Sequence, residues 1–237
     1  MIGFLSSQGT ADVGIYSTGY KFGSLIMLCV KAFNLNWQPY YLKQATQATF
    51  YKIGSIFLSI LMILSTLISI MWPLFFSWLI GEAFWDGGYI IPIITLSYVF
   101  YGVFILQMPS LYLQNKEGWA PWFWGVGLAI NLTLNSILIP LYGYYGAAFG
   151  TLFAYAGMAG YIIYKNYSWM PMKYNMFYLC CIIALSCLSI VVWGWLDAIY
   201  NFNNPTTDLW PFILISIFSA IYFIVSSFVV WIMYKKI

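Results

Sequence analysis

Long uninterrupted apolar runs alternate with short polar connections along the whole chain. A helix needs about 20 apolar residues to cross a hydrocarbon core of roughly 30 Å, and each run is about that long or longer. In lipid, only helices and closed barrels satisfy their own backbone hydrogen bonds, and runs of this length are too long for strands. The pattern therefore predicts an all-α, polytopic membrane protein with about seven transmembrane helices. The runs are Asp12–Trp37, Ile53–Ile80, Tyr89–Leu113, Trp119–Leu141, Tyr144–Tyr164, Met176–Leu196 and Leu209–Tyr234.

Composition supports this class and removes several kinds of chemistry. Hydrophobic residues make up 63% of the chain and charged residues only 6%, against roughly a quarter in soluble domains. Histidine and arginine are both absent, so the chain lacks the commonest general base, the commonest metal ligand and the bidentate phosphate clamp. We therefore expect no enzyme activity, no cofactor, no metal site and no nucleic-acid partner. Anion recognition must come from lysine, tyrosine, amides and backbone donors.

The charges in the connections alternate in sign. Connections after the odd-numbered runs carry Lys43, Lys52, Lys116 with Glu117, Lys165, Lys173, Lys235 and Lys236, whereas the others carry Glu82, Asp86, Asp197 and Asp208. Because short lysine-rich loops stay in the cytoplasm, the alternation predicts an outside start and a cytoplasmic C-terminus. An outside start without a signal sequence suggests that at least one span precedes Met1.

The first run departs from the apolar rule along one helical stripe. Its polar residues recur at intervals near 3.5 and are Ser17, Tyr20, Lys21, Ser24, Lys31, Asn34 and Gln38. Lys21 lies about 13 Å below the outer end and Lys31 about 15 Å further, at a rise of 1.5 Å per residue. A charge at such depth costs ~2.5–3.5 kcal/mol on insertion scales, and the interiors of the runs hold no Asp or Glu to pair with it. The stripe therefore predicts a cationic, water-accessible cavity that meets an anion.

Two alternatives stay open for these lysines. Lys31 can snorkel toward the cytoplasmic interface. Lys21 is expected to lie nearer the middle of the bilayer, where it can pair with a carboxylate in a preceding part of the protein. Three amides on later runs are weaker candidates for the same cavity, and hydrogen bonds between helices account for them equally well. They are Gln107, Asn131 and Asn135.

Glycines four residues apart mark two places where helices are expected to pack closely. Gly19 with Gly23 lies on the first run, and Gly146 with Gly150 lies on the fifth. Small residues at this spacing let helix backbones approach one another.

Four stretches follow the order of motifs in a known family. Val13–Gly23 contains V-G-I-Y-S-x-x-Y-K, and Asn34–Tyr40 contains N-x-x-x-Q-P-Y. Leu79–Glu82 is L-I-G-E, and Asn131–Gly150 contains I-P-L-Y-G followed by G-A-A. Together they resemble Wzx-type polysaccharide flippases of the multidrug/oligosaccharidyl-lipid/polysaccharide exporter superfamily. The family's own forms of the last two are L-F-G-E and I-P-x-x-G-x-x-G-A-A.

The resemblance implies a two-lobed transporter in which this chain is similar to the C-terminal half. It implies that residues 1–7 are the tail of a truncated preceding span, that 8–164 form the five-helix part of the C-terminal lobe and that 165–237 add two helices. The implied function is flipping of a polyprenyl-diphosphate-linked oligosaccharide across the bacterial inner membrane, for O-antigen or other surface polysaccharide biosynthesis. Intramembrane cations would meet the diphosphate. The implied partners are that lipid-linked oligosaccharide, the bilayer, and the missing N-terminal lobe or a second copy.

Three other classes fit the sequence less well. A multidrug or cation antiporter of the same superfamily is expected to carry acidic residues within its spans, where this chain has lysines. A membrane enzyme of polysaccharide assembly, such as a polymerase or ligase, generally needs a general base or an arginine clamp in a sizeable outer loop. A purely structural membrane partner is the remaining alternative.

Overall fold

Helices make up all the regular structure in the described part of the chain, which confirms the all-α prediction. The computed structural model describes residues 1–7, 9–43, 47–170, 183–184, 186–187, 191, 194 and 210–236. The sixth predicted run, Met176–Leu196, therefore lies almost entirely outside the described residues, as do Lys173, Asp197 and Asp208. The helices are α1 (Ile2–Leu5), α2 (Thr10–Gly23), α3 (Leu25–Lys43), α4 (Gln47–Leu79), α5 (Ile91–Gln107), α6 (Pro109–Leu113), α7 (Ala120–Trp169) and α8 (Trp210–Lys236), with 3₁₀ segments at Glu82–Ile90 and Glu117–Trp119.

The first predicted run is a bent pair of helices. α2 ends at Gly23 and α3 begins at Leu25, with 41° between the two axes. α3 continues past Trp37 to Lys43, further than the sequence indicated. The extension follows from packing, because Trp37 and Tyr41 are both buried in an aromatic cluster with Phe50 of α4.

α7 is a hairpin. Gly143 interrupts it with φ 56° and ψ −132°, a backbone conformation that glycine adopts at little cost. The arms on either side, 120–142 and 144–169, run antiparallel, since the ring centroids of Phe123 and Tyr161 lie 5.1 Å apart and those of Trp119 and Trp169 lie 5.6 Å apart. The arms correspond to the fourth and fifth predicted runs.

Both predicted glycine contacts are confirmed. A Cβ atom on Gly19 would overlap the carbonyl oxygen of Gly87, and one on Gly146 would overlap the carbonyl oxygen of Leu138 in the opposite arm of α7. In each case backbone meets backbone, so no side chain can move aside to make room.

The acidic and basic connections gather at opposite ends of the helix body. At one end, the buried carboxylate of Asp12 accepts a hydrogen bond from Ser6 and lies beside Gly143. At the other, the Lys165 ammonium lies 4.3 Å from the centroid of the Trp119 ring. We call these the acidic end and the lysine end. Asp86 lies near Tyr144, next to Gly143, so the connection that carries it reaches the acidic end, as predicted.

Four described segments are long and apolar enough to cross a membrane, and the bent pair α2–α3 is a fifth if it forms one span. They are Phe50–Phe76, Glu82–Leu113, Glu117–Trp169 and Ile213–Ile232. Glu117–Trp169 includes both arms of the α7 hairpin, each of which is roughly 35–39 Å long at 1.5 Å per residue.

Candidate functional site

A cavity of about 680 Å³ opens between α2 and the α7 hairpin. Its walls are mostly apolar. No charged side chain of the described residues lines it, but α1 contributes Met1, which carries the terminal amino group of the chain. Its polar groups are hydroxyls and amides, which come from Tyr16, Tyr20, Asn131, Asn135, Thr151 and Tyr155. We call this the tyrosine–asparagine cavity. Three of the residues predicted from sequence, Tyr20, Asn131 and Asn135, therefore meet here.

The tyrosines of α2 are held in place by partners on the neighbouring helices. The Tyr20 hydroxyl lies 2.5 Å from the Tyr98 hydroxyl of α5. The Tyr16 hydroxyl lies close to the Thr151 side chain of α7, and the Thr151 hydroxyl donates to a backbone carbonyl 3.0 Å away. Tyr155 lies one turn further along the same arm, with its ring centroid 5.7 Å from that of Tyr98. This wall of the cavity is consequently fixed by contacts among three helices.

The opposite wall carries an amide pair. Asn135 Nδ2 donates to Asn131 Oδ1 at 3.0 Å, as expected for residues one turn apart. Asn135 is only 9% exposed, and its Oδ1 atom has no hydrogen-bond partner among the residues that the structure describes. That oxygen fits where it does because position 150 is glycine, since a Cβ there would overlap it. The buried acceptor is therefore built into the contact between the two arms of the hairpin.

The two lysines of the predicted stripe do not line this cavity. They lie on the open face of α2 and α3, interleaved with leucines, and neither forms an ion pair within the described residues. This lysine–leucine face consists of the exposed residues Lys21, Leu25, Leu28, Lys31, Leu35, Gln38 and Leu42. The structure therefore divides the predicted stripe: Lys21, Lys31 and Gln38 lie on this open face, whereas Tyr20 points into the helix body.

The structure reverses the expected depths of the two lysines. The residue before Lys31 packs beside Leu61 and Gly102, near the middles of α4 and α5. By contrast, the backbone two residues before Lys21 contacts Gly87 at the acidic end. Lys31 is therefore the more central of the pair, and Lys21 lies nearer the acidic end.

The remaining predicted residues divide between helix-internal bonds and a second concavity. The Ser17 and Ser24 hydroxyls donate to backbone carbonyls within their own turn, at 2.9 and 2.8 Å. Asn34 and Gln38 line a separate concavity of about 400 Å³ near the lysine end, together with Lys43. These four predicted residues do not reach the tyrosine–asparagine cavity.

Gln107 belongs to a buried structural cluster at the end of α5. Asn166 Nδ2 donates to Gln107 Oε1 at 2.8 Å and to the Gln107 backbone oxygen at 3.0 Å. The Ser110 hydroxyl donates to Asn166 Oδ1 at 2.5 Å. We call these three residues the amide cluster. It joins α5 to the second arm of α7 just where Pro109 interrupts α5, so hydrogen bonding between helices accounts for the position of Gln107.

Sequence reasoning did not select Tyr16, Thr151, Tyr155 or Trp124, all of which line the cavity. One signal was present: Tyr16 precedes Tyr20 by one turn, and Thr151 precedes Tyr155 by one turn. Their convergence depends on which face of each helix turns inward, and an isolated helical pattern does not specify that. No protein family, curated protein or solved structure matches the chain.

Proposed function

We propose that this chain forms part of a bacterial inner-membrane transporter that flips a polyprenyl-diphosphate-linked oligosaccharide for surface polysaccharide biosynthesis. In this proposal the helices cross the bilayer with the acidic end outside and the lysine end in the cytoplasm, in line with the preference of lysine-rich loops for the cytoplasm. The resemblance of its motifs to Wzx-type flippases suggests the substrate. The lysine–leucine face supplies the physical argument.

The observation that carries the proposal is the position of Lys31. It lies on an exposed face near the middle of helices that are apolar enough to span a membrane. An ammonium group facing hydrocarbon there would cost ~2.5–3.5 kcal/mol. The face is therefore suited to a water-filled path or an anion. A diphosphate passing along it would meet Lys21 near one end and Lys31 near the middle.

The leucines of the same face support a protein neighbour. A lipid-exposed face is expected to be free of charge, whereas a fully aqueous face would not hold four exposed leucines at helical spacing. We propose that a first lobe or a second copy of the chain packs opposite this face. The two halves would enclose the path between them, as in two-lobed transporters that move one half against the other.

The test changes the lysine codon in the chromosomal gene of the organism that makes this chain. Any natural partner protein is then present in the cell. Lys31→Met should reduce surface polysaccharide at least tenfold. An ammonium–phosphate pair at 4 Å contributes roughly 4 kcal/mol at an effective dielectric constant of 20, before desolvation is subtracted. Lys31→Arg should retain part of the export, because the charge survives while the head-group geometry changes.

Lys235→Met is the matched control, since Lys235 lies at the lysine end with its ammonium 4.0 Å from the Trp231 ring centroid. Surface polysaccharide is quantified by staining, and membrane levels of each variant by immunoblot. Binding of undecaprenyl diphosphate to the purified chain, measured by native mass spectrometry, provides a direct second readout. Wild-type export and lipid binding by a well-expressed Lys31→Met protein would refute the proposal.

A further inference from the structure

We infer that a groove between α4 and α8 is a binding site for an anionic phospholipid of the leaflet at the lysine end. One acyl chain lies in the groove, and the phosphate meets the lysines where these two helices reach that end. The lipid is a stationary companion of the chain and is not transported. The inference goes beyond the proposed function and rests on it only for assigning this leaflet to the cytoplasm.

The groove is apolar and open at its side. Its volume is about 230 Å³. Ile63 is buried, whereas Ile60 and Phe223 on either side of the groove are 43% and 50% exposed. A hydrocarbon chain can therefore enter the groove from the surrounding bilayer. The described lining residues are Ile60, Ile63 and Leu64 of α4 with Phe223, Ser227 and Val230 of α8.

The packing of α8 on α4 places the groove in the lysine half of the two helices. Ile215, near the start of α8, packs in one cluster with Ile70 of α4, and Tyr222 packs against Ile63. The two helices are therefore antiparallel. All the α8 residues that line the groove follow Tyr222, so the groove extends from this contact toward the lysine end. A lipid chain lying in it has its head group at that end.

The charges that α4 and α8 bring to that end are all positive. α4 contributes Lys52, and α8 contributes Lys235 and Lys236, whereas neither helix contains Asp or Glu. Lys52 lies 11 residues before Ile63, which is three helical turns to within about 20°, so the two residues share one stripe of α4. The antiparallel register brings Lys52 within a few residues of Lys235. Lysine-rich segments next to a membrane surface attract anionic lipids.

The end of α8 has the features of a segment at the level of lipid head groups. Trp231 is exposed, and the Lys235 ammonium lies 4.0 Å from the centroid of its ring. Tryptophan is enriched at membrane–water interfaces, and long lysine side chains extend their charge to the same level. A zwitterionic lipid brings a cation of its own beside its phosphate. The lysines therefore favour a lipid whose head group has a net negative charge.

The experiment compares two lipids that differ only in the head group. The full chain, purified in dodecyl maltoside, is titrated with phosphatidylglycerol or with phosphatidylcholine of identical acyl chains, and bound lipid is measured by native mass spectrometry. Each lysine near an anionic head group contributes about fivefold in affinity. We therefore expect phosphatidylglycerol to bind about fivefold more tightly, or more, than phosphatidylcholine.

Variants of one lysine test the head-group contact. Lys52→Met removes the charge and keeps an apolar side chain, so it should weaken phosphatidylglycerol binding about fivefold and leave phosphatidylcholine binding unchanged. Lys52→Arg should retain the preference, because the charge survives. Lys165→Met is the matched control, since Lys165 lies at the same end but over the Trp119 ring, at the start of α7. It should leave the binding of both lipids unchanged.

A second pair of variants tests the acyl-chain contact. Ser227→Phe places a large side chain in the groove and should weaken the binding of both lipids. Val225→Phe is the control on the same helix, because Val225 is exposed and lies about half a turn away from the groove. It should not change lipid binding.

Thermal unfolding separates a lost lipid contact from a lost fold. A lipid that binds the folded chain raises its melting temperature by mass action. Phosphatidylglycerol should therefore raise the melting temperature of the wild type and of Lys165→Met more than that of Lys52→Met. A variant that melts like the wild type without lipid, but shows a smaller rise with it, has lost a lipid contact.

Two results would overturn the inference: equal affinity for the two lipids, or equal losses in Lys52→Met and Lys165→Met. The second would mean that the lysine end attracts anions without a defined site. Lys31→Met, which tests the proposed function, should keep full phosphatidylglycerol binding, because Lys31 does not line the groove. Phosphatidylglycerol binding that depends on Lys52, together with export that does not depend on Lys31, would keep this site and remove the proposed function. The opposite pair of results would do the reverse.

Discussion

The contact between α2 and the Glu82–Ile90 segment can be tested with a graded series of glycine substitutions. At Gly19 an added Cβ would overlap the backbone oxygen of Gly87 and lie 2.7 Å from Ile90 Cγ1. At Gly23 it would lie 2.6 Å from Ile94 Cγ2 and 2.7 Å from Ile94 Cβ, which is held in place by the backbone of α5. At Gly160 it would have no atom of the described chain within 4 Å. The three sites thus meet backbone, side chain and open space.

The expected change in the free energy of unfolding depends on whether the atoms next to each glycine can move aside. Alanine in place of a helical glycine gains about 0.5–1 kcal/mol from the unfolded chain, whereas forcing an extra methyl group into a packed contact costs typically 1–3 kcal/mol. Gly19→Ala should lose about 2 kcal/mol, since two backbones must separate. Gly23→Ala should also lose about 1–2 kcal/mol, because no change of rotamer moves Ile94 Cβ and α5 itself must shift. Gly160→Ala should be neutral or slightly stabilising.

Thermal unfolding in dodecyl maltoside, followed by tryptophan fluorescence, measures the series. For a chain of this size 1 kcal/mol shifts the midpoint by about 2–4 °C, so Gly19→Ala should melt about 4–8 °C below wild type. The ranking is the critical result. If Gly19→Ala were as stable as Gly160→Ala, α2 would not lie against the Glu82–Ile90 segment, and the assembly of the acidic end described above would be refuted.

Three further predictions concern the hairpin, the amide cluster and the orientation of the chain. Gly143→Ala should destabilise by about 1–2 kcal/mol in the same assay, because of its positive φ, and its added Cβ would also lie 2.7 Å from Asp12 Oδ2. Asn166→Leu should cost about 1–3 kcal/mol, because it leaves buried partners of the amide cluster unpaired; an unchanged melting temperature would contradict that cluster. In a cysteine-free background, Asp86→Cys should react with an impermeant maleimide from the periplasm and Lys165→Cys only from the cytoplasm, and labelling of both from one side would refute the proposed orientation.

Features that depend on the order of residues along the chain were predictable. The fourth and fifth runs were separated at Leu141 and Tyr144, and the hairpin turns at Gly143. The position of such a turn follows from local features of the sequence: the lengths of the two apolar runs and the glycine between them. The grouping of acidic and basic connections followed as well, because antiparallel neighbours bring alternate connections to the same end.

Features that depend on which helical faces meet were not predictable. The stripe on the first run placed Tyr20 and Lys21 together, although they are separated by about 100° around the helix axis. In the structure Tyr20 reaches Tyr98 inside the helix body, whereas Lys21 is exposed. The depth of Lys31 also depends on the bend after Gly23 and on the contacts of neighbouring helices. Neither can be obtained by counting residues from the end of an apolar run.

The separation of Tyr20 from Lys21 follows from the different cost of removing their side chains from water. A lysine inside the tyrosine–asparagine cavity would lose its hydration among mostly apolar walls, so its charge would be strongly disfavoured. An amide or a hydroxyl group loses much less hydration free energy there, especially when a neighbouring group forms a hydrogen bond with it, as Tyr98 does with Tyr20. Cations are therefore better placed on the open face, where water reaches them until an anion arrives. Neutral hydrogen-bonding groups are better placed among the mostly apolar walls of the cavity. α2 therefore carries its exposed cation on one face and its neutral hydrogen-bonding groups on another.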